Sequence, residues 1–110
     1  MSITADLIRG HTDTIILAKL MERDSYGYEI NKAVYNASNQ MYELKEATLY
    51  TAFKRLEDAQ CISSYWDDQS TGARRKYYTI TDTGREVYNQ KIGEWLETKK
   101  LLDTLFNTEG

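Results

Sequence analysis

The sequence predicts a mainly α-helical fold that carries one β-hairpin. Apolar residues recur at helical spacing over most of the 110 residues. That spacing is interrupted once, by two short segments rich in aromatic and β-branched residues that flank a polar loop. The chain contains no proline, which suits helices joined by short connections. These features are typical of one helical domain with a small sheet.

The first two helices are predicted from apolar spacing and from capping residues. A broad apolar face over residues 5–22 predicts the first helix. Asp24 and Ser25 favour the position before a helix, so a second helix is predicted from about Tyr26. Its apolar face ends before Ser38.

A third helix is predicted from about Glu46 to Ala59. Its buried stripe consists of four apolar residues at helical spacing, namely Leu49, Ala52, Phe53 and Leu56. The 3.6-residue period then places a mostly polar set on the opposite, exposed face: Ala47, Tyr50, Thr51, Lys54, Arg55 and Asp58.

Residues 61–66 and 75–80 predict the two strands of a hairpin, and Ser70, Thr71 and Gly72 predict its flexible tip. Thr81 and Asp82 offer a cap for a last helix that runs to about Phe106. The order helix, helix, helix, hairpin, helix is that of a winged helix-turn-helix followed by one long helix. We expect residues 1–80 to form the winged helix-turn-helix and residues 81–110 the C-terminal helix, within one compact domain.

Composition limits the classes of function. No apolar run approaches the roughly 18 residues of a membrane-spanning helix, so no membrane partner is expected. The single cysteine, Cys61, cannot form an internal disulfide, which favours the cytoplasm. The sequence has no glycine-rich phosphate loop and no nucleophile–base pair at a telling spacing, so an enzyme is not expected. The lone His11 predicts no metal site, and no cofactor is indicated.

The third helix and the hairpin together predict a DNA-binding surface. A helix that reads DNA presents polar and cationic side chains to base edges and phosphates. The residues predicted to contact double-stranded DNA are Lys45, Thr48, Tyr50, Thr51, Lys54 and Arg55 from the helix, and Arg74, Arg75 and Lys76 from the returning strand. Strand alternation sends Arg74 and Lys76 to one face and Arg75 to the other.

Two alternative interpretations stay open for that surface. The polar helix face and the strand cations are equally typical of solvated surfaces, since lysine and arginine commonly protect sheet edges. The formal net charge of −3 is also unusual for a nucleic-acid-binding protein. It favours a winged-helix module that binds another protein through the same face.

The last helix has more apolar surface than a small domain can cover. Five large side chains follow a nearly continuous 4-3 spacing: Tyr88, Ile92, Trp95, Leu102 and Phe106. This pattern predicts dimerisation through packing against a second copy, with two recognition helices about 34 Å apart in successive major grooves. Across the two-fold axis, paired Trp95 rings would hold a flat aromatic molecule between them, or would simply pack in the dimer core.

Three segments in order resemble the PadR family of bacterial transcriptional regulators, over essentially the full chain. They are SYGYEI at 25–30, ATLYTAFKRLE at 47–57 and GARRKYYTITDTG at 72–84. The single long C-terminal helix resembles the short subfamily, and the sequence looks most similar to a multidrug-binding repressor within it. The resemblance implies a homodimer clasped by the last helix, which binds a palindromic operator and represses transcription.

The same resemblance implies an aromatic or multidrug-like effector at the dimer interface. The predicted ligand site consists of Trp95, Ile92 and Lys99 with Leu7 and Asp13. In the multidrug-binding repressor, an acidic residue one turn after the tryptophan favours cationic compounds, whereas this chain has Lys99 there and Lys91 one turn before. Neutral or anionic aromatic ligands therefore fit this chain at least as well.

Overall fold

The computed structural model describes residues 3–67 and 74–108, and these form five α-helices and a three-stranded sheet. In chain order the elements are α1 (Ile3–Ile8), a 3₁₀ turn (Arg9–His11), α2 (Thr12–Glu22), β1 (Ser25–Tyr26), α3 (Gly27–Ala37), α4 (Glu46–Asp58), β2 (Ile62–Asp67), β3 (Arg75–Ile80) and α5 (Asp82–Phe106). The predicted fold class, helices with a hairpin wing and a long C-terminal helix, is confirmed. Among the described helices, none combines the length and apolar character needed to cross a membrane.

The prediction of one continuous helix over residues 5–22 is wrong. The structure divides it at the 3₁₀ turn, where His11 has φ −110° and ψ 11°, outside the helical region. Gly10 lies in this turn, and glycine is a poor helix former. The Thr12 hydroxyl donates to the Arg9 carbonyl at 3.0 Å, which stabilises the turn.

Ser25 does not cap the second helix, and the hairpin gains a third strand. Ser25 lies in β1, opposite Tyr78 of β3, so the sheet has the order β1-β3-β2 and is antiparallel. Tyr26 is the residue before α3, and its backbone N–H donates to Glu29 Oε1 at 3.3 Å. A two-residue strand is too short to show alternation, so the sequence pattern did not predict it.

The core lies between α2, α3, α4 and the inner face of the sheet. Its centre is Phe53 of α4, whose ring stacks on Tyr78 of β3 at 3.9 Å between centroids. Burial raises the pKa of the Tyr78 phenol to about 12. The predicted buried stripe of α4 is confirmed: Leu49, Ala52, Phe53 and Leu56 are all buried.

The connection before α4 is held by one side chain of α3. Asn31 Nδ2 donates to the Leu44 carbonyl, and the Leu44 N–H donates to Asn31 Oδ1, both at 2.8 Å. This pair of hydrogen bonds acts as a backbone-like bridge, and Leu44 itself is buried. The bridge fixes where α4 begins relative to α3.

Helix α5 is joined to the core at its first turns only. The Gly84 N–H donates to Thr81 Oγ1 at 3.0 Å, as the predicted cap requires. A Cβ on Gly84 would lie 2.1 Å from the Cys61 carbonyl oxygen, so the close approach of the helix needs glycine. Val87 and Tyr88 pack on the core, whereas every described residue from 93 to 108 except Asp103 is exposed.

Candidate nucleic-acid interface

The outer face of α4 is polar and accessible. Thr48, Tyr50, Thr51, Lys54 and Arg55 are all exposed, on the side of the helix opposite the buried stripe. The residue before α4 is Lys45, and its side chain makes no capping hydrogen bond. The backbone N–H groups of the first turn are therefore uncapped, and such groups bind phosphate oxygens well.

Tyr50 is the largest side chain on this face, and it is about half exposed. Its ring meets the edge of buried Phe53 at 5.5 Å between centroids, with an interplanar angle of 76°. Contact with a core aromatic residue restricts the ring while its outer side stays accessible.

Both cations of the α4 face have carboxylate neighbours. Lys54 Nζ lies 3.5 Å from Asp58 Oδ2, in a pair of exposed side chains that contributes little to stability. Arg55 makes a two-pronged contact with Asp13 of α2: Nε donates to Oδ2 at 3.0 Å and Nη2 donates to Oδ1. These hydrogen bonds raise the pKa of Arg55. A DNA phosphate at this position would have to compete with Asp13 for the guanidinium.

An open cleft of about 540 Å³ lies between the start of α2 and the outer face of α4. It is lined by Arg9, Gly10, Thr12, Asp13, Ala47, Thr48, Thr51, Arg55 and Lys91. The structure thus brings Asp13, predicted as a ligand residue, together with three of the residues predicted to contact DNA.

The wing places its cations on two faces. The Arg74 guanidinium lies 5.0 Å above the Trp66 ring, and Lys76 Nζ lies 5.6 Å from the Tyr78 ring, on the inner face of the sheet. The same face of β2 reaches α4, since Ser64 Oγ donates to Glu57 Oε2 at 3.1 Å. Arg74 and Lys76 therefore share a side of the molecule with α4. The predicted wing tip, Ser70 to Gly72, lies outside the described residues.

Arg75 occupies the opposite, outer face of the sheet. Its guanidinium lies 4.9 Å above the Tyr26 ring, in a row of tyrosines that continues through Tyr77 to Tyr65. The Tyr65 hydroxyl donates to Asp24 at 2.9 Å, which raises the pKa of Tyr65. The strand alternation predicted from the sequence is thus present, and it separates Arg75 from the other two wing cations.

Trp66 is a residue of this surface that sequence reasoning did not select. It is about half exposed and lies opposite Lys76 in the β2–β3 register. The sequence could have indicated Trp66, because an aromatic residue near the end of a strand, paired with a cationic segment, indicates a cation–π contact.

The predicted ligand residues lie on three helices, α1, α2 and α5. Trp95 is 43% exposed, and its ring meets the edge of His11 at 5.5 Å between centroids. Ile92 is half-buried, and Lys99 and Leu7 are exposed. Asp13 instead holds Arg55. The His11–Trp95 contact agrees with the packing or interface role that a lone histidine favours.

The chain is similar in sequence and in fold to known transcriptional regulators. The model of the transcriptional regulator PadR-like family matches residues 16–90. A transcriptional regulator from Clostridium thermocellum is 48% identical, with a TM-score of 0.85 over 94% of this chain and 97% of that chain. A PadR family transcription regulator from Clostridium difficile R20291 is 38% identical, with a TM-score of 0.75 over 87% of this chain and 98% of that chain. The negative transcriptional regulator PadR of Bacillus subtilis (strain 168) is 30% identical over 74% of this chain, which spans 42% of that protein.

The Asp13–Arg55 pair leads to a first prediction. Asp13→Asn releases the Arg55 guanidinium for phosphates, so duplex DNA should bind more tightly. The slope of log affinity against log salt should become steeper by about one. Stability should fall by no more than about 1 kcal/mol, because the pair is partly exposed. Glu22→Gln is the matched control, since it makes the same charge change at the other end of α2. Weaker binding by Asp13→Asn would show that Asp13 orients Arg55 for DNA.

Proposed function

Because the chain belongs to the PadR-like family of transcriptional regulators, we propose that it is a homodimeric repressor. Its two recognition helices bind a palindromic operator, and an aromatic molecule at the dimer interface sets operator affinity. The family consists of DNA-binding regulators, so the chain is a regulator and not an enzyme.

The arrangement of α4 and the wing carries the proposed DNA contact. Thr48, Tyr50 and Thr51 are exposed and lie on the α4 face that reads base edges in this proposal. Arg74 and Lys76 stand on the side of the sheet that adjoins α4, where they reach the phosphates beside the groove. The helix specifies the sequence and the wing supplies positive charge.

The unpartnered length of α5 supports the proposed dimer. Among the described residues of this 25-residue helix, only Gly84 is fully buried. Beyond the core-bound turns, the large exposed apolar side chains are Trp95, Leu96, Leu101, Leu102, Leu105 and Phe106. Monomeric proteins rarely expose a continuous apolar surface of this kind. A second copy of the same helix covers it symmetrically, and the two-fold axis then directs both α4 helices to one side.

Two substitutions test the DNA surface separately for base and phosphate contact. Tyr50→Ala removes an uncharged contact, so affinity for the DNA upstream of its own gene should fall about tenfold with an unchanged salt slope. Arg74→Ala removes a phosphate contact, so affinity should fall and the slope should decrease by about one. Fluorescence anisotropy across a salt series measures both, with Lys100→Ala on α5 as control.

Parental affinity in both variants would refute this assignment of the DNA surface. If the parent protein itself showed no salt-sensitive binding to any promoter fragment, the module would be one that binds another protein, as the net charge of −3 favours.

A charge within the exposed face of α5 tests the dimer. Leu102→Glu should separate the subunits at micromolar concentration, because an unpaired charge is costly to bury and the symmetry introduces it twice. Thr104→Glu is the matched control, since it adds the same charge two residues further on, on the opposite side of the helix. Light scattering after gel filtration gives the mass. A parent protein that stays a single subunit while it binds its promoter would refute the dimer.

The ligand proposal depends on the accessible Trp95 ring. Lys91 and Lys99 lie one turn before and one turn after it, so the surroundings of the ring favour neutral or anionic planar molecules. His11 makes a T-shaped contact with Trp95, whose side chain stays partly exposed, so part of the indole is accessible for stacking within a subunit. The two-fold axis of the proposed dimer provides the second ring.

Tryptophan fluorescence tests this proposal once Trp66 is removed. In Trp66→Phe the only tryptophan is Trp95, and titration with neutral and anionic planar aromatic compounds should quench or shift its emission. Trp95→Phe is the matched control, because Trp66 alone should not respond. An unresponsive Trp95 over a panel that also includes cationic compounds would make this residue purely structural.

A further inference from the structure

We propose that Gly27 is a positioning residue for DNA binding, because it leaves the space in which the phenol of Tyr50 is held. This inference rests on the proposed role of Tyr50 in the operator contact. It adds a residue of α3, from the other helix of the helix-turn-helix, that touches no DNA itself.

The contact joins the start of α3 to the outer face of α4. A Cβ placed on Gly27 would lie 2.7 Å from Tyr50 Oη and 3.2 Å from Tyr50 Cζ. The first of these distances is shorter than real carbon contacts allow. The end of the Tyr50 ring therefore occupies the space that a side chain at position 27 would fill.

Backbone conformation does not explain a glycine at this position. Gly27 is the first residue of α3, is buried, and has no positive φ. Glycine is also a poorer helix former than alanine. Glycine is needed here because the neighbouring Tyr50 ring leaves no space for a side chain, not because of the local backbone conformation.

Two contacts fix the Tyr50 ring while leaving about half of it accessible. Phe53, one turn further along α4, meets the ring edge-to-face, and Phe53 is immobilised by its stack on Tyr78. Gly27 bounds the hydroxyl end from α3. The phenol therefore reaches DNA in one preset orientation, and little side-chain entropy is lost on binding.

A methyl group at Gly27 would displace this ring and not the backbone. The clashing atoms are the far end of a long side chain whose other side is exposed, so the ring can swing outward. The fold should persist, whereas the preset orientation should not.

A double-mutant cycle tests the inference, with anisotropy of a labelled duplex from the region upstream of the gene. Gly27→Ala and Tyr50→Ala should each weaken binding about tenfold, equal to about 1.4 kcal/mol. Once the phenol is gone the added methyl has room, so the double variant should bind no worse than Tyr50→Ala alone. Gly93→Ala is the matched control, because a Cβ there meets nothing within 4 Å and should leave binding unchanged.

The outcomes separate this inference from the proposed function. If Tyr50→Ala binds like the parent, the assignment of the DNA surface fails and the positioning role with it. If Tyr50→Ala weakens binding and Gly27→Ala does not, the positioning role alone fails. Additive losses in the double variant would mean that Gly27 acts independently of the ring. Circular dichroism shows whether Gly27→Ala is folded. An unfolded variant would mean that the Tyr50 ring cannot move aside for the methyl group, and Gly27 would then be a packing residue and not a positioning residue.

Discussion

The stack of Phe53 on Tyr78 is the interaction on which the rest of the structure depends. It buries the inner stripe of α4 against the sheet, and the helical period then leaves no choice about which side chains face outward. The same contact holds β3, and through the strand register it decides which wing cations stand beside α4. One aromatic contact thus sets the orientation of both elements that are proposed to face DNA.

The apolar side chains of that core are buried, whereas most of those along α5 are exposed. Val87 and Tyr88 pack against the core and Ile92 is half-buried, whereas the described apolar residues from 95 onward are largely exposed. The position of the helix relative to the core is rigidly determined, because Gly84 lies against the Cys61 carbonyl without space for a methyl group. In the proposed dimer, such a joint would transmit a change in the packing of the two α5 helices to the α4 helices, as the proposed effector requires.

Sequence patterns predicted the features that repeat and missed those that occur once. The buried stripe of α4, the two hairpin strands and the length of α5 each extend over several turns or residues, so periodicity identified them. The 3₁₀ turn at Arg9–His11 and the two-residue β1 have no period to read. The Asp13–Arg55 contact joins residues 42 apart, and only tertiary structure brings them together. The sequence likewise indicated Tyr50 as a surface residue, but not that Gly27 bounds its ring.

The distribution of charge reconciles an acidic chain with the proposed DNA-binding surface. Lys54 and Arg55 each face a carboxylate, so the α4 surface is nearly neutral, and Thr48, Tyr50 and Thr51 present uncharged donors and acceptors. Direct reading of bases depends on such groups and changes little with salt, whereas phosphate attraction depends on net local charge. Arg74 and Lys76 of the wing lie on the same side of the molecule as α4. If this surface binds DNA as proposed, it gains less from general attraction to DNA than a basic helix does, and a larger share of its affinity comes from fitting one sequence.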